Sequence, residues 1–268
     1  MADPVASGYG KQAVSVYRTD GVRTLFAAEI GLTARGDAFL PSYTEGDNTA
    51  VVATDSMKNF VHITALDYEG SSLEDFLDLL ARRFLEDYEQ VERVEVTARE
   101  LLFARRTEQS FQRVGGDCAV AELALARDGT LEHSCGREGL RLIKLTGSSF
   151  EGFVRDEYTT LAESRDRPLY VYLDARWRNR NFAQRAPGEE VRDSIAATFA
   201  EFDSASIQEL VHEMGVRLLD GFDELEEISF VGENRLWDTA QVHGADERVR
   251  VYTDPRPPFG LIEVTLRR

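Results

Sequence analysis

A polar cluster at residues 54–59 contains the side chains best suited to chemistry in this sequence. The short apolar run Val51-Val52-Ala53 predicts a buried strand, and it ends in Thr54, Asp55, Ser56, Lys58 and Asn59. Two turn residues would be enough to end a strand, so five polar residues here suggest more than a simple turn. The same residue types also commonly cap a helix or turn, so both interpretations stay open. We assign Lys58 to a salt bridge and Asn59 to a turn or cap.

Histidine and cysteine do not occur in a metal-binding pattern. The chain has four histidines and two cysteines, and only His133 and Cys135 are close in sequence. Two ligands do not make a zinc site, which takes three or four protein ligands. No metal is therefore expected.

Composition limits the classes of partner. The chain has 268 residues, 43% of them hydrophobic, and a net charge of −17. Nucleic acid and anionic membrane surfaces both require a basic surface, so neither is an expected partner. No apolar run is long enough to span a bilayer, and the start MADPVASGYG lacks the basic and apolar regions of a secretory signal. The sequence thus predicts a cytoplasmic globular protein.

An internal repeat organises the chain. Residues 72–96 align without gaps on residues 206–230, an offset of 206 − 72 = 134. Apolar residues recur at helical spacing at matching positions of both copies, which predicts two amphipathic helices. Ser72 and Ser206 begin the copies, with Asp75 and Glu209 three residues later, as in a capping box.

Strand-like segments surround the two helices. They are residues 12–18, 23–33, 93–106, 117–127, 139–146, 169–178 and 259–267. The order of strand pairs, helices and strand pairs occurs twice, which favours an α+β fold of antiparallel hairpins with helices on one face over a parallel sheet. The predicted domains are residues 1–136 and 137–268.

Several motifs, taken in order, resemble urate oxidase (uricase). They are YGK at 9–11, SYTEGDN at 42–48, VVATDSMKN at 51–59, SSFEGFVRDEYTTLAESRDR at 148–167, SIQ at 206–208 and PFGLIEVTL at 258–266. Each string is weak alone, but their joint order and spacing are specific and cover nearly the whole chain. The resemblance implies two tandem tunnelling-fold (T-fold) domains and a homotetramer that forms a barrel-like tunnel with active sites at subunit interfaces.

The resemblance also implies a reaction that uses no cofactor and no metal. Urate would react with dioxygen and water to give 5-hydroxyisourate and hydrogen peroxide. Urate is a planar, electron-rich purine that is anionic near neutral pH, and it can give electrons to dioxygen once further deprotonated. Such a site must supply a base and a rigid pocket.

Three site residues in the first half follow from this resemblance. Lys11 would be the base, because a partly desolvated ammonium group loses its proton more readily. Thr54 would relay that proton and bind the substrate, and Asp55 would give its backbone N–H to the five-membered ring of urate.

The second half supplies the other expected site residues. By the resemblance, Phe150 stacks on the purine, Arg167 binds its carbonyl and ring-nitrogen edge, and Asn234 holds water or dioxygen above the ring. The backbone N–H of Ile207 donates a hydrogen bond to the purine, and the Gln208 amide forms hydrogen bonds with its lactam edge. The repeat gives an internal comparison, since Gln208 stands where the first copy has Glu74. The second copy therefore has a neutral amide, which can both donate and accept hydrogen bonds, where the first copy has a carboxylate.

One position departs from the family pattern. The family has a histidine two residues after the asparagine, which completes a Lys-Thr-His relay, but here that residue is Leu236. No histidine lies in matching register, although His243 follows nine residues after Asn234. The proton then moves through water with Lys11 and Thr54 alone, or the chemistry has shifted.

Three alternatives remain at this stage. One is a related T-fold enzyme that acts on pterins and needs a zinc site. Another is a uricase-like oxidase of a different purine or azapurine. The third is a catalytically silent purine-binding protein that keeps Phe150, Arg167 and Gln208 but has lost the relay at Leu236.

Overall fold

A computed structural model describes residues 7–21 and 24–268. Its strands are β1 Tyr9–Thr19, β2 Leu25–Arg35, β3 Arg93–Glu100, β4 Phe103–Thr107, β5 Ser110–Arg113, β6 Cys118–Ala126, β7 Leu131–Lys144, β8 Leu169–Asn179, β9 Leu225–Leu236, β10 Thr239–Val242, β11 Arg250–Tyr252 and β12 Arg256–Arg267. Its helices are α1 Leu40–Thr44, α2 Thr54–Asp67, α3 Leu73–Asp87, α4 Gly188–Glu201 and α5 Ile207–Gly221. Among these, none combines the length and apolar character that a membrane crossing requires.

Two compact units make up the chain, Met1–Cys135 and Gly136–Arg268. Strand β7 begins in the first unit and ends in the second. The pairs β1–β2, β2–β3 and β3–β6 are antiparallel, as are β8–β9 and β9–β12. Antiparallel strands combined with helices confirm the predicted α+β class.

The internal repeat is longer in the structure than in the sequence analysis. Helix α5 lies 207 − 73 = 134 residues after α3, and both have 15 residues, so the predicted amphipathic pair is confirmed. Helices α2 and α4, of 14 residues each, have the same offset, 188 − 54 = 134. Ser72 and Ser206 cap α3 and α5 by accepting from the N–H groups of Asp75 and Glu209, both at 3.1 Å.

The first unit packs α3 against the middle of its sheet. On β2, Ala28, Ile30, Leu32 and Ala34 are fully buried, while Glu29 between them is exposed. On α3, Phe76, Leu77, Leu80 and Phe84 are fully buried against β3 and β6. Alternation in the strand and helical spacing in α3 thus bury one common core.

The second unit repeats this arrangement with α5. Strand β8 buries Leu169, Val171, Leu173, Ala175 and Trp177 at every second position. Helix α5 packs on β9 and β12 and buries Leu210, Val211, Met214 and Leu218. The core thereby fixes the N-terminus of α5, where two of the predicted site residues lie.

Several boundaries differ from the sequence predictions. Residues 51–53 form no strand, because the N–H of the buried Val52 is bound by a tyrosine hydroxyl rather than by a neighbouring strand. The segment 93–106 is two strands, β3 and β4, and β7 begins eight residues before the predicted start at 139. The predicted strand 23–33 begins at Arg23, which lies outside the described residues, and β2 covers the rest from Leu25.

Candidate active site

Lys11 lies on β1 immediately before an irregularity in the ladder. It pairs with Leu32, and the register shifts between Lys11 and Val14, where Ala13 has a left-handed φ of 57°. Such bulges bend a strand and redirect its side chains. Gly10 is required here, because a Cβ would lie 1.9 Å from the carbonyl oxygen of Leu32. The half-buried Lys11 is thus held where two backbones approach closely.

Tyr9 connects β1 to the segment that leads into α2. Its hydroxyl accepts a hydrogen bond of 2.7 Å from the N–H of Val52, and its ring packs edge-on against Phe39 with centroids 4.9 Å apart. Burial raises the pKa of the Tyr9 hydroxyl. Sequence reasoning gave Tyr9 no role, although it stands in the YGK motif.

Thr54 and Asp55 form the first turn of α2, not the end of a strand. Ala53 holds the N-cap position without a side-chain cap, so the capping interpretation of Thr54 and Asp55 is wrong. Both side chains are exposed. Backbone N–H groups in a first turn have no partner within the helix, and the helix dipole is positive there. The arrangement therefore favours a bound anion.

The Asp55 carboxylate accepts hydrogen bonds from two residues of its own helix. Lys58 Nζ donates to it at 2.5 Å and Asn59 Nδ2 at 3.2 Å. The hydrogen bond from Lys58 and its charge lower the pKa of Asp55, and the charge of Lys11 lowers it further. The salt bridge predicted for Lys58 is confirmed. Asn59 is an internal residue of α2 rather than a turn or cap.

Phe150 and Arg167 contact each other in the second unit. The backbone of Phe150 exchanges two hydrogen bonds with Ser164, at 2.7 and 3.0 Å, and the N–H of Arg167 donates to the Ser148 carbonyl at 2.8 Å. These bonds place Cζ of Arg167 5.1 Å from the centroid of the Phe150 ring, within cation–π range.

The Arg167 guanidinium carries an unused donor. Its Nε is buried and has no hydrogen-bond partner among the described residues. Burial lowers the pKa of Arg167, but a guanidinium remains charged at any physiological pH. A half-buried cation with an unused donor beside an aromatic ring is suited to a planar anion.

The N-terminus of α5 is joined to the same segment. Ser148 forms a parallel bridge with Ser204, and the Ser149 N–H donates to the Ser204 carbonyl at 2.9 Å. Ser206 then caps α5, and Ile207 and Gln208 form its first turn. Ile207 is buried and Gln208 is exposed. Glu74, the counterpart of Gln208, instead accepts from its own cap residue Ser72 at 2.8 Å.

Asn234 lies on β9 between two neighbouring strands. Its register partners are Val171 on β8 and Gly260 on β12, and its side chain is half-buried. The backbone of Leu236 pairs with Arg256. His243 follows β10 in an exposed turn, where its Nδ1 accepts from the Ala245 N–H at 3.3 Å.

The predicted site residues thus fall into two groups. Lys11, Thr54 and Asp55 belong to the first unit. Phe150, Arg167, Ile207, Gln208 and Asn234 belong to the second, where the first four are joined through residues 148, 204 and 206. Across the described residues, no three His, Cys, Asp or Glu side chains converge as ligands of a metal. His133 and Cys135, considered for a pterin enzyme, are alternate residues of β7.

Sequence comparison matches these two units with one family. The profile described as Uricase matches residues 7–122 and 133–263. The chain belongs to the uricase family. Uricase from Haloferax volcanii is 36% identical over 301 residues, which cover 97% of this chain and 97% of that protein. The resemblance seen in the motifs is confirmed.

Other relatives are longer than this chain. The uric acid degradation bifunctional protein of Bacillus sp. TB-90 is 36% identical over 293 residues, and the matched region covers 94% of this chain and 58% of that protein. For the corresponding Bacillus subtilis protein, PucL, the match covers 60% of its length. The chain therefore spans a little over half the length of these bifunctional relatives.

Solved structures confirm the fold. The urate oxidase from Bacillus sp. TB-90 has a TM-score of 0.91 at 35% identity, covering 98% of this chain and 100% of that chain. Uricase from Arthrobacter globiformis has a TM-score of 0.87 at 30% identity, covering 100% and 96%. The fold is that of the urate oxidases, consistent with the expected T-fold.

Proposed function

We propose that this chain oxidises urate with dioxygen and water to 5-hydroxyisourate and hydrogen peroxide, using no cofactor and no metal. Two electrons and two protons pass from urate to dioxygen, which leaves as peroxide. Water then supplies the hydroxyl group of the product. The observation that supports this proposal best is the contact of Arg167 with Phe150 beside the first turn of α5.

The second-unit group binds the purine in this proposal. Phe150 stacks on the ring, and Arg167 pairs with a carbonyl and ring-nitrogen edge through its planar fork. The N–H of Ile207 and the amide of Gln208 contact the remaining lactam edge. Support comes from the unused Nε donor of Arg167 and from the exposure of Gln208.

The first-unit group moves the protons. Lys11 takes a proton from the substrate or a water, and the Thr54 hydroxyl relays it. The backbone N–H of Asp55 binds the five-membered ring. The positive end of the α2 dipole, with Lys11 close to Asp55, favours the anionic form of urate.

Asn234 holds water or dioxygen above the ring. Because Leu236 stands where the family has its relay histidine, protons pass between Lys11, Thr54 and water alone. The exposed His243 is not needed in this scheme.

The proposed assembly is a homotetramer of tandem T-fold domains, residues 1–136 and 137–268, that form a barrel-like tunnel. Each active site joins the first-unit group of one subunit to the second-unit group of another. Exposed apolar side chains on neighbouring strands β9 and β12 support a covered sheet surface, since Val231, Phe259 and Leu261 are 41, 41 and 59% exposed in the single chain. The proposed setting is the cytoplasm, which cell fractionation would test.

Incubation with urate in air tests the activity and separates it from the alternatives. Loss of urate absorbance with one peroxide per urate is expected. Urate that binds but persists would indicate a silent purine-binding protein. If urate is not oxidised but xanthine or an azapurine is, the substrate is a different purine.

A further inference from the structure

Four side chains of the second unit are connected by contacts between neighbouring pairs. Arg167 lies over Phe150, and the Phe150 and Phe153 rings are nearly parallel, with centroids 4.9 Å apart and planes inclined by 12°. Cζ of Arg155 lies 5.6 Å from the Phe153 centroid. Phe153 and Arg155 have no role in the reaction derived so far.

The intervening turn brings the second ring back over the first. Gly152 has a left-handed φ of 71°, which favours glycine. Its N–H donates to the Glu163 carboxylate at 3.1 Å. The two backbone bonds between Phe150 and Ser164 fix the start of the turn. The spacing Phe-Glu-Gly-Phe therefore places two rings face to face.

We infer that Phe153 is a positioning residue, which orients the Phe150 ring for stacking on a planar purine. This inference rests on the proposed function. Offset stacking is a preferred geometry of aromatic pairs, so the half-buried Phe153 stabilises one orientation of its neighbour.

The charge on Arg155 supports this arrangement from the solvent side. Phe153 contacts both the Phe150 ring and the exposed guanidinium of Arg155, and a cation–π contact holds a ring against such a cation. Phe153 is therefore the residue through which the loop orients the substrate-stacking ring.

Binding of urate under nitrogen tests the inference without turnover. Equilibrium dialysis would compare the full-length wild type with Phe153→Leu, which keeps an apolar side chain but removes the flat ring. The Kd for urate should rise by about 2- to 10-fold, the range of a lost aromatic pair. Phe153→Tyr keeps the ring and should restore the wild-type Kd. Phe182→Leu is a matched control, because Phe182 also stacks under an arginine, at 4.8 Å from Arg185.

The outcomes distinguish a failure of this inference from a failure of the proposed function. Wild-type binding without turnover in air would contradict the oxidation and leave the Phe153 effect measurable. A Kd of Phe153→Leu equal to that of the wild type would overturn the inference alone, as would equal losses in Phe153→Leu and Phe182→Leu. No binding of urate by the wild type would overturn both.

Discussion

Lys11 is the residue on which the proposed proton transfer depends. Lys11→Met keeps the length of the side chain and removes its amine, so kcat for urate should fall by about 10² to 10⁴, the usual effect of losing a positioned acid or base. Lys58→Met is the matched control. Lys58 forms a salt bridge with the Asp55 carboxylate, whereas the proposed contact of Asp55 with urate is made by its backbone N–H. Steady-state kinetics would measure both. Unchanged kcat in Lys11→Met, with activity lost in His243→Ala, would assign the proton to His243.

Arg167 should act on substrate capture rather than on turnover. Arg167→Ala removes a charge-assisted pair, so KM should rise by about 10- to 150-fold if that pair binds ground and transition states alike. Arg165→Ala makes the same change two residues away, where the side chain is 91% exposed, and KM should stay within about twofold. A fall in kcat at constant KM for Arg167→Ala would contradict a binding role.

Matching this sequence to the family's motifs allowed the proposed site residues to be chosen. It did not reveal the residues that hold them in position. Tyr9, Gly10 and Phe153 act through contacts with residues 52, 32 and 150. Such pairings depend on the tertiary fold, and no local pattern indicates those of Tyr9 and Gly10. The exception is Phe153, whose Phe-Glu-Gly-Phe spacing suggests a tight turn between two rings.

The junction between β1 and α2 should depend on the Tyr9 hydroxyl. Tyr9→Phe leaves the buried N–H of Val52 without its acceptor, so the free energy of unfolding should fall by about 1 to 3 kcal/mol. Urea denaturation would measure the change. Tyr17→Phe alters an exposed tyrosine of the same strand, and its effect should stay within about 0.5 kcal/mol. Equal effects of the two variants would argue against a specific role for this hydrogen bond.

Elements with a wide apolar face were predictable, and those with a narrow one were not. Helices α3 and α5 follow from their apolar spacing and serine caps. Helices α2 and α4 were not assigned to specific residues, because each buries a threonine and only three apolar side chains. Their buried positions still fit helical spacing and repeat at an offset of 134, as from Met57 to Val191. Extending the repeat upstream of Ser72 would have located both.

In the proposed homotetramer, two subunits complete each active site. At urate concentrations well below the KM of Arg167→Ala, neither Lys11→Met nor Arg167→Ala alone should be fully active, because each impairs one side of every site. Mixing the two under conditions that allow subunit exchange should restore part of the activity through hybrid sites. Recovery would be followed by urate loss, with native mass spectrometry as the check on mixing. Tetramers that are demonstrably mixed and still inactive would contradict shared sites.

The most direct test of the central claim is the stoichiometry of the reaction with chelator-treated protein. An oxygen electrode, urate absorbance and a peroxide assay would be read on the same sample, before and after EDTA. We expect one dioxygen to be consumed and one peroxide to be formed per urate, at a rate that EDTA does not change. Activity that EDTA abolishes and zinc restores would contradict it.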